Sequence, residues 1–327
     1  MRGVNRIRRL VRKMFPVHRI FPRCVILIYH RVYDAFSDPQ LLCVSKKNFT
    51  EHLEHIQNHY HPMSLTDLGK AISIGKVPRY GVVITFDDGY ADNLWNAKPI
   101  LESVGIPATF FVTSGKLGDE REFWWDDLER LILLPSRLPD RLALEISGNY
   151  YTFQTMTSGE RQDTYYNLHE LLRPLDNTTR EGVIAELARW ADMQTQGREN
   201  YRAMNHKEVA ILASGLCEVG AHTVTHSVLA EQTVDFQRYE IFESKKTLEE
   251  ITGKRVTSFS YPYGSKSDIG YESVSIVKEA GFGIACANVE GIVGRKANPY
   301  LLSRCLVRNW DGDEFAKRLR RFLYDSR

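Results

Sequence analysis

The sequence predicts an α/β chain folded as a closed or nearly closed barrel of about seven strand-and-helix units. Three observations predict it. Short apolar, β-branched runs recur along the chain, helical patterns separate them, and 327 residues at 43% hydrophobic content can bury a barrel-sized core. In chain order the first units are the run Val25–Tyr29, a helix over Asn48–His59, the run Val82–Phe86, a helix over Ala91–Val104 and the run Ala108–Val112. The later units are a short helix over Lys207–Leu212, the run Cys217–Ala221, a helix over Phe236–Ile251, and the runs Thr257–Tyr261, Phe282–Ala287 and Leu302–Val307. Runs of this length with no alternation are buried on both faces, as parallel strands under crossover helices are.

Residues 119–205 interrupt the rhythm. An aromatic cluster, Phe123, Trp124 and Trp125, comes first, then a hairpin around Ser147-Gly148-Asn149, then helical stretches over Asp163–Leu172 and Thr179–Met193. No Gly/Ser/Pro-rich linker brackets the segment, so it is expected to be a mostly helical insertion within one domain spanning 24–327. Its tryptophans either cap a site or anchor the insertion to the barrel, and the sequence leaves both open.

A formal net charge of +2 excludes a whole-molecule electrostatic nucleic-acid binder. One basic segment stands out. Residues 1–23 carry Arg2, Arg6, Arg8, Arg9, Arg12, Lys13, Arg19 and Arg23 with no acid, interleaved with Val4, Ile7, Leu10, Val11, Met14 and Phe15. It reads either as a solvated terminus or as an amphipathic segment lying on an anionic membrane surface. It lacks the unbroken apolar core of a secretory signal, and no stretch reaches the roughly 18 apolar residues that cross a bilayer. The five cysteines, at 24, 43, 217, 286 and 305, have neither paired nor ligand-like spacing, and each is expected to be a small buried residue. Together these features point to a cytoplasmic setting, with peripheral association at the inner membrane face.

Two motifs carry chemistry. Val82–Phe86 runs into Asp87-Asp88-Gly89, a strand end with two adjacent carboxylates. Alone this is ordinary Asp-Gly turn chemistry. Adjacent side chains at a strand end also reach one pocket from different angles, so that one carboxylate holds a metal while the other takes a proton. The second motif, Gly220-Ala221-His222-Thr223-Val224-Thr225-His226, offers two imidazoles. On a helical turn, positions i and i+4 share a face and both rings reach a single cation. Two imidazoles and one carboxylate leave coordination positions open, as a catalytic site requires.

These residues resemble the polysaccharide deacetylases of carbohydrate esterase family 4, the NodB-homology fold. Thr85 to Gly89 match the family's Thr-Phe-Asp-Asp-Gly motif; His222, Thr223 and His226 match its His-Ser/Thr-x-x-His pair; and Ser260-Tyr261-Pro262-Tyr263-Gly264 stands at its third motif. The resemblance implies a distorted (β/α) barrel with its site at the C-terminal strand ends. It further implies Asp88, His222 and His226 as ligands of a divalent metal, Zn²⁺ first with Co²⁺ or Ni²⁺ as alternatives. Asp87 would be the base that activates water, and the Tyr263 backbone N–H an oxyanion donor.

Three departures follow from the comparison with family motifs. The late histidine that serves relatives as general acid is missing from Leu302-Ser303-Arg304-Cys305-Leu306, and the late Asp-Trp motif is not recognisable. His30, at the end of an early strand in a Tyr-His pair resembling that of exopolysaccharide N-acetylglucosamine deacetylases, is the substitute acid; a structural histidine is the alternative. Ser260 replaces the arginine that orients the base, and Arg304 is expected either to pair with Asp87 or to form a surface ion pair.

The function expected is hydrolytic removal of N-acetyl groups from an amino-sugar glycan, with Trp124, Trp125 and Tyr263 available for sugar stacking. A lipid-linked or nucleotide-linked precursor of a surface polysaccharide suits the basic terminus. The alternatives are an inactive carbohydrate-binding scaffold of the same fold, and an O-deacetylase or other amide hydrolase.

Overall fold

A computed structural model describes residues 23–325. The basic segment 1–23 lies, but for its last residue, outside the described residues. Among these residues, seven parallel strands form the core: β1 (Cys24–Tyr29), β2 (Gly81–Phe86), β3 (Ala108–Val112), β4 (Cys217–Ala221), β5 (Ser258–Ser260), β6 (Ile284–Cys286) and β7 (Cys305–Leu306). Their order in the sheet is β6-β5-β4-β3-β2-β1-β7, and a two-residue strand, His61–Pro62, adds to the start of β2. The ring closes by stagger. Leu302, just before β7, donates its N–H to the Ala285 carbonyl and accepts from Ala287 at 2.9 Å each, while Cys305 and Leu306 pair with Leu27 and Ile28.

All six residues of β1 and of β2 are buried, as the unbroken apolar runs require. Outside them, the helix Lys46–His59 turns Phe49, Leu53 and Ile56 inward, with Ser45 as its N-cap. The helix Val234–Thr252 is capped by Thr233 and stopped by Gly253 at φ 64°. The helix expected over Ala91–Val104 is instead a π-helical turn, Asn93–Ala97, followed by an α-helix, Lys98–Ser103. Pro99 has no N–H to bond back to the preceding turn, and a wider turn accommodates that loss. A C-terminal helix, Gly312–Asp325, and two shorter ones, Leu65–Ser73 and Tyr271–Glu279, add to the sequence expectation.

The insertion has an apolar cluster of its own, built on Phe123, Trp124, Trp125, Leu128, Tyr165, Leu168 and Leu187. Tyr90 and Tyr263 join that cluster from the barrel, so the insertion rests on the rim where strands end. Its hairpin pairs Arg141–Ile146 with Asn149–Gln154 through Ser147 (φ 51°) and Gly148 (φ 79°). Two successive positive φ values are what a two-residue turn needs to match strand twist. Helices Ser158–Leu172 and Asn177–Trp190 follow, the first with a Thr157/Glu160 capping box. All five cysteines are free and buried, as expected.

Candidate metal centre and active site

Strand register assembles the site. Tyr29 pairs with Phe86, Val112 with Ala221, and Ala221 with Phe259. The residues one step beyond, His30, Asp87, His222 and Ser260, therefore leave the barrel at one level on its C-terminal rim. The Asp87 N–H donates to the Tyr29 carbonyl at 3.0 Å and fixes that level.

Asp88 sits at φ 76°, a conformation that costs a residue with a Cβ and is held by the Thr113 N–H donating to its carbonyl at 3.1 Å. Its Oδ1 lies 3.6 Å from His222 Nε2 and 3.3 Å from His226 Nε2. One ligand atom from each of the three residues lies within 4.8 Å of the others. Ligands about 2.0–2.2 Å from a shared tetrahedral cation stand roughly 3.3–3.6 Å apart, as Asp88 does from each imidazole, so the chemistry of the three groups suits a divalent cation such as zinc. His222 Nδ1 lies 2.7 Å from the Ser260 carbonyl; it donates there, which leaves the Nε2 lone pair for the cation side.

The two histidines are not on a helical turn. Residues 222–228 form a tight loop in which Thr223 (φ 64°) and His226 (φ 56°) both take positive φ. Glu240, fully buried on the helix Val234–Thr252, organises it. Its Oε2 accepts the N–H groups of Val224 and Thr225 at 2.9 Å each, and its Oε1 accepts the Thr225 hydroxyl at 2.8 Å. The signal for Glu240 in the sequence was an acid at a core-facing helical position, beside Gln237, Ile241 and Ser244.

Asp87 is held by Arg304. Nη1 donates to its Oδ1 at 2.8 Å and Nη2 to its Oδ2 at 2.7 Å, a bidentate pair with Arg304 1% exposed. The guanidinium also donates to the Ala287 carbonyl, Thr85 Oγ1 and Ser260 Oγ, and Ser260 Oγ donates in turn to Asp87. Ser260 and Arg304 thus share the place of the missing arginine of the third motif. Burial pushes the Asp87 carboxyl up, but the charges of Arg304 and His222 outweigh it and hold the group below the ordinary carboxylate range.

His30 lines the same cavity, with its ring between the charges of Asp87, Asp88, Arg304 and Arg308. Burial lowers its pKa, and the two carboxylates only partly offset that. Tyr263 (φ 57°) sets its ring edge-on to His226 at 4.8 Å between centroids, and its N–H has no protein acceptor among the described residues. Trp125 packs against His226 at 4.9 Å and donates its Nε1–H to the Tyr90 hydroxyl. Trp124 does not line this cavity: it is 5% exposed inside the insertion, stacked on His169, and so acts as an anchor, whereas Trp125 and Tyr263 face the cavity. The cavity measures about 270 Å³.

The sequence profile of the polysaccharide deacetylase family matches residues 75–137 and 174–284, and the gap between them holds the hairpin and the first long helix of the insertion. A Bacillus subtilis protein named as a polysaccharide deacetylase, YxkH, is 30% identical over 125 residues, 36% of this chain and 43% of the relative. The poly-β-1,6-N-acetyl-D-glucosamine N-deacetylase of Escherichia coli K12 is 28% identical over 160 residues, 44% of this chain and 23% of the relative. The matches thus span less than half the length of these curated relatives. Among solved structures, the Streptococcus pyogenes deacetylase PplD, in complex with acetate, superposes with a TM-score of 0.60 at 17% identity, over 91% of this chain and 99% of that one. At that identity the likeness concerns the fold, a parallel barrel sheet wrapped by helices. The family profile covers more than half of the 327 residues, and on that match the chain belongs to the polysaccharide deacetylase family.

Proposed function

We propose that this protein is a metal-dependent hydrolase that removes N-acetyl groups from an amino-sugar-containing glycan or glycan precursor in surface polysaccharide biosynthesis. One observation carries the proposal: three buried ligand atoms converge on one point, and a second carboxylate, Asp87, stands beside them bound to an arginine rather than to the histidines. A binding scaffold has no use for that spare carboxylate. The motive for the scaffold alternative, the missing arginine of the third motif, is met by Arg304.

A divalent cation held by Asp88, His222 and His226 supplies the Lewis acidity that polarises an amide carbonyl and acidifies water. The rest falls to the chain. Asp87, kept ionised by Arg304, accepts the proton of the attacking water through the lone pair that the guanidinium leaves free, a step typically worth about 10²–10⁴-fold. The free N–H of Tyr263 is placed to donate to the oxygen that gains charge in the tetrahedral intermediate. His30, across the cavity, is the group assigned to hand a proton to the departing sugar amine, a proton it must first take up because burial favours its neutral ring; the C–N bond then breaks, leaving acetate and the free amine.

The name of the Escherichia coli relative supports an N-acetylglucosamine glycan as the substrate class. The basic, acid-free run of residues 1–23 supports a lipid-linked or nucleotide-linked intermediate handled at the cytoplasmic face of a membrane. Among the described residues, no helix is long and apolar enough to cross a membrane. Acetate release from N-acetylglucosamine oligomers, before and after chelation and then with zinc, cobalt or nickel restored, tests the reading. Release that stops on chelation and returns with metal is expected, and His226→Ala is expected to lose both metal and release. Release that persists in metal-free protein contradicts the proposal.

A further inference from the structure

The cavity holds one cation that the deacetylation chemistry does not use. Behind its wall Arg304 is neutralised by Asp87 and Arg180 is sealed off against Trp124 at 1% exposure, and of the two arginines that line it Arg173 is neutralised by Asp268, whose Oδ1 it meets at 2.5 Å. Arg308 has no carboxylate within ion-pair distance among the described residues. It is half-buried in the cavity wall, and its Nη1 donates to the carbonyls of Gln40 (3.1 Å) and Leu41 (2.5 Å). The acid nearest in charge, Asp38, is already engaged: its oxygens accept the N–H groups of Leu42 and Cys43. Burying a guanidinium without a counter-ion costs free energy, and a neutral amide would hold two loop carbonyls as well. Nε and Nη2 are left without protein acceptors among the described residues, and two adjacent N–H donors in a plane match an oxyanion.

We propose that Arg308 recognises a negatively charged oxygen group carried by the substrate beside its N-acetylated sugar, either a phosphate ester or a neighbouring uronate. The rest of the wall agrees with a sugar bearing one charge. Gln40, Ser265 and Asn288 offer neutral hydrogen-bonding groups, and Trp125 and Tyr263 offer ring surface. Among the described residues that line the cavity, Asp87 and Asp268 are paired with arginines and Asp88 belongs to the proposed metal triad, so none is left over to repel an anion. The inference rests on the deacetylase reading only for the sugar part of the ligand.

Calorimetry on the full-length Asp87→Asn protein, which is expected to bind without turnover, separates the two ideas. The probes are N-acetylglucosamine, N-acetylglucosamine 1-phosphate and a glucuronyl-N-acetylglucosamine disaccharide. At least one anionic probe is expected to bind about tenfold or more tightly than the neutral sugar, the scale of one added charged hydrogen bond. Which of the two does so identifies phosphate or uronate as the source. That ratio is expected to collapse in Asp87→Asn/Arg308→Gln and to survive in part in Asp87→Asn/Arg308→Lys, which keeps the charge but not the fork. A ratio near one, no measurable binding of either anionic probe at millimolar concentration, or a ratio unchanged by Arg308→Gln overturns the proposal. None of these results bears on acetate release by the wild-type protein, by which the deacetylase reading is judged.

Discussion

Asp87 is a buried carboxylate whose charge depends most on one neighbour, Arg304. Remove Arg304 and burial is opposed only by the smaller effects of His222 and His30, so its ionised form is reached only at higher pH. Arg304→Gln is therefore expected to lower kcat/KM by about 10–100-fold, the usual cost of losing a residue that orients a catalytic group, and to move the acid limb of the pH profile upward. An acid limb that stays in place would show that Arg304 does not set the state of Asp87. At this scale the sequence was legible where a motif is contiguous: Asp87 and Asp88 end a run of apolar residues, and the register of β1 and β2 brings His30 level with them. The Arg304 pair could be named only as one of two readings, because nothing local to Leu302–Leu306 says which strand end its guanidinium meets. Arg308 carries no sequence signal at all, since its lack of an acid partner is a property of the folded surroundings.

Among elements, the loop 222–228 depends most on another part of the chain. The two residues between its positive-φ positions, Val224 and Thr225, donate to Glu240, sixteen positions from Val224. Glu240→Ala leaves two N–H groups without their acceptor, at about 1–3 kcal/mol each, and is expected to lower both the unfolding midpoint and zinc affinity, read by denaturation and metal titration. Loss of stability with unchanged affinity would separate Glu240 from the metal centre. The expectation of a helical turn at His222 failed here: spacing of i and i+4 fits a helix, but the His226 N–H that a helical turn would give to the His222 carbonyl donates instead to Thr223 Oγ1 at 3.0 Å. The hairpin was legible because its turn chemistry is local. Gly148→Ala, with open space at its Cβ but φ 79°, is expected to cost about 1–2 kcal/mol of stability and to leave acetate release unchanged.

Across the whole molecule, the barrel is tied to its C-terminal helix through His52. Its Nε2 lies 2.7 Å from the Trp310 carbonyl and its Nδ1 3.2 Å from the Tyr29 hydroxyl, with the ring stacked on Phe315 at 4.0 Å. Burial lowers its pKa to about 4, against a partial rise from the Trp310 bond. The folded state therefore refuses a proton that the unfolded chain accepts near pH 6.5. Its contribution to stability is complete above about pH 6.5 and is lost as pH falls toward 4, about 3 kcal/mol in all. Denaturant titrations across that range are expected to show a shallower pH dependence for His52→Gln than for wild type, and equal slopes would contradict the assignment. The seven-unit barrel was legible from apolar runs and intervening helices; its closure was not, because it depends on a stagger of the segment 302–306 between β6 and β1. The central claim joins these scales: strand ends far apart in sequence hold one cation, and a carboxylate outside that ligand set activates water. Acetate release by Asp87→Asn, at a zinc content matched to wild type, tests it most directly. The account predicts about one zinc per chain in both proteins and release at least about 10²-fold slower in the variant, whereas release at the wild-type rate would contradict it.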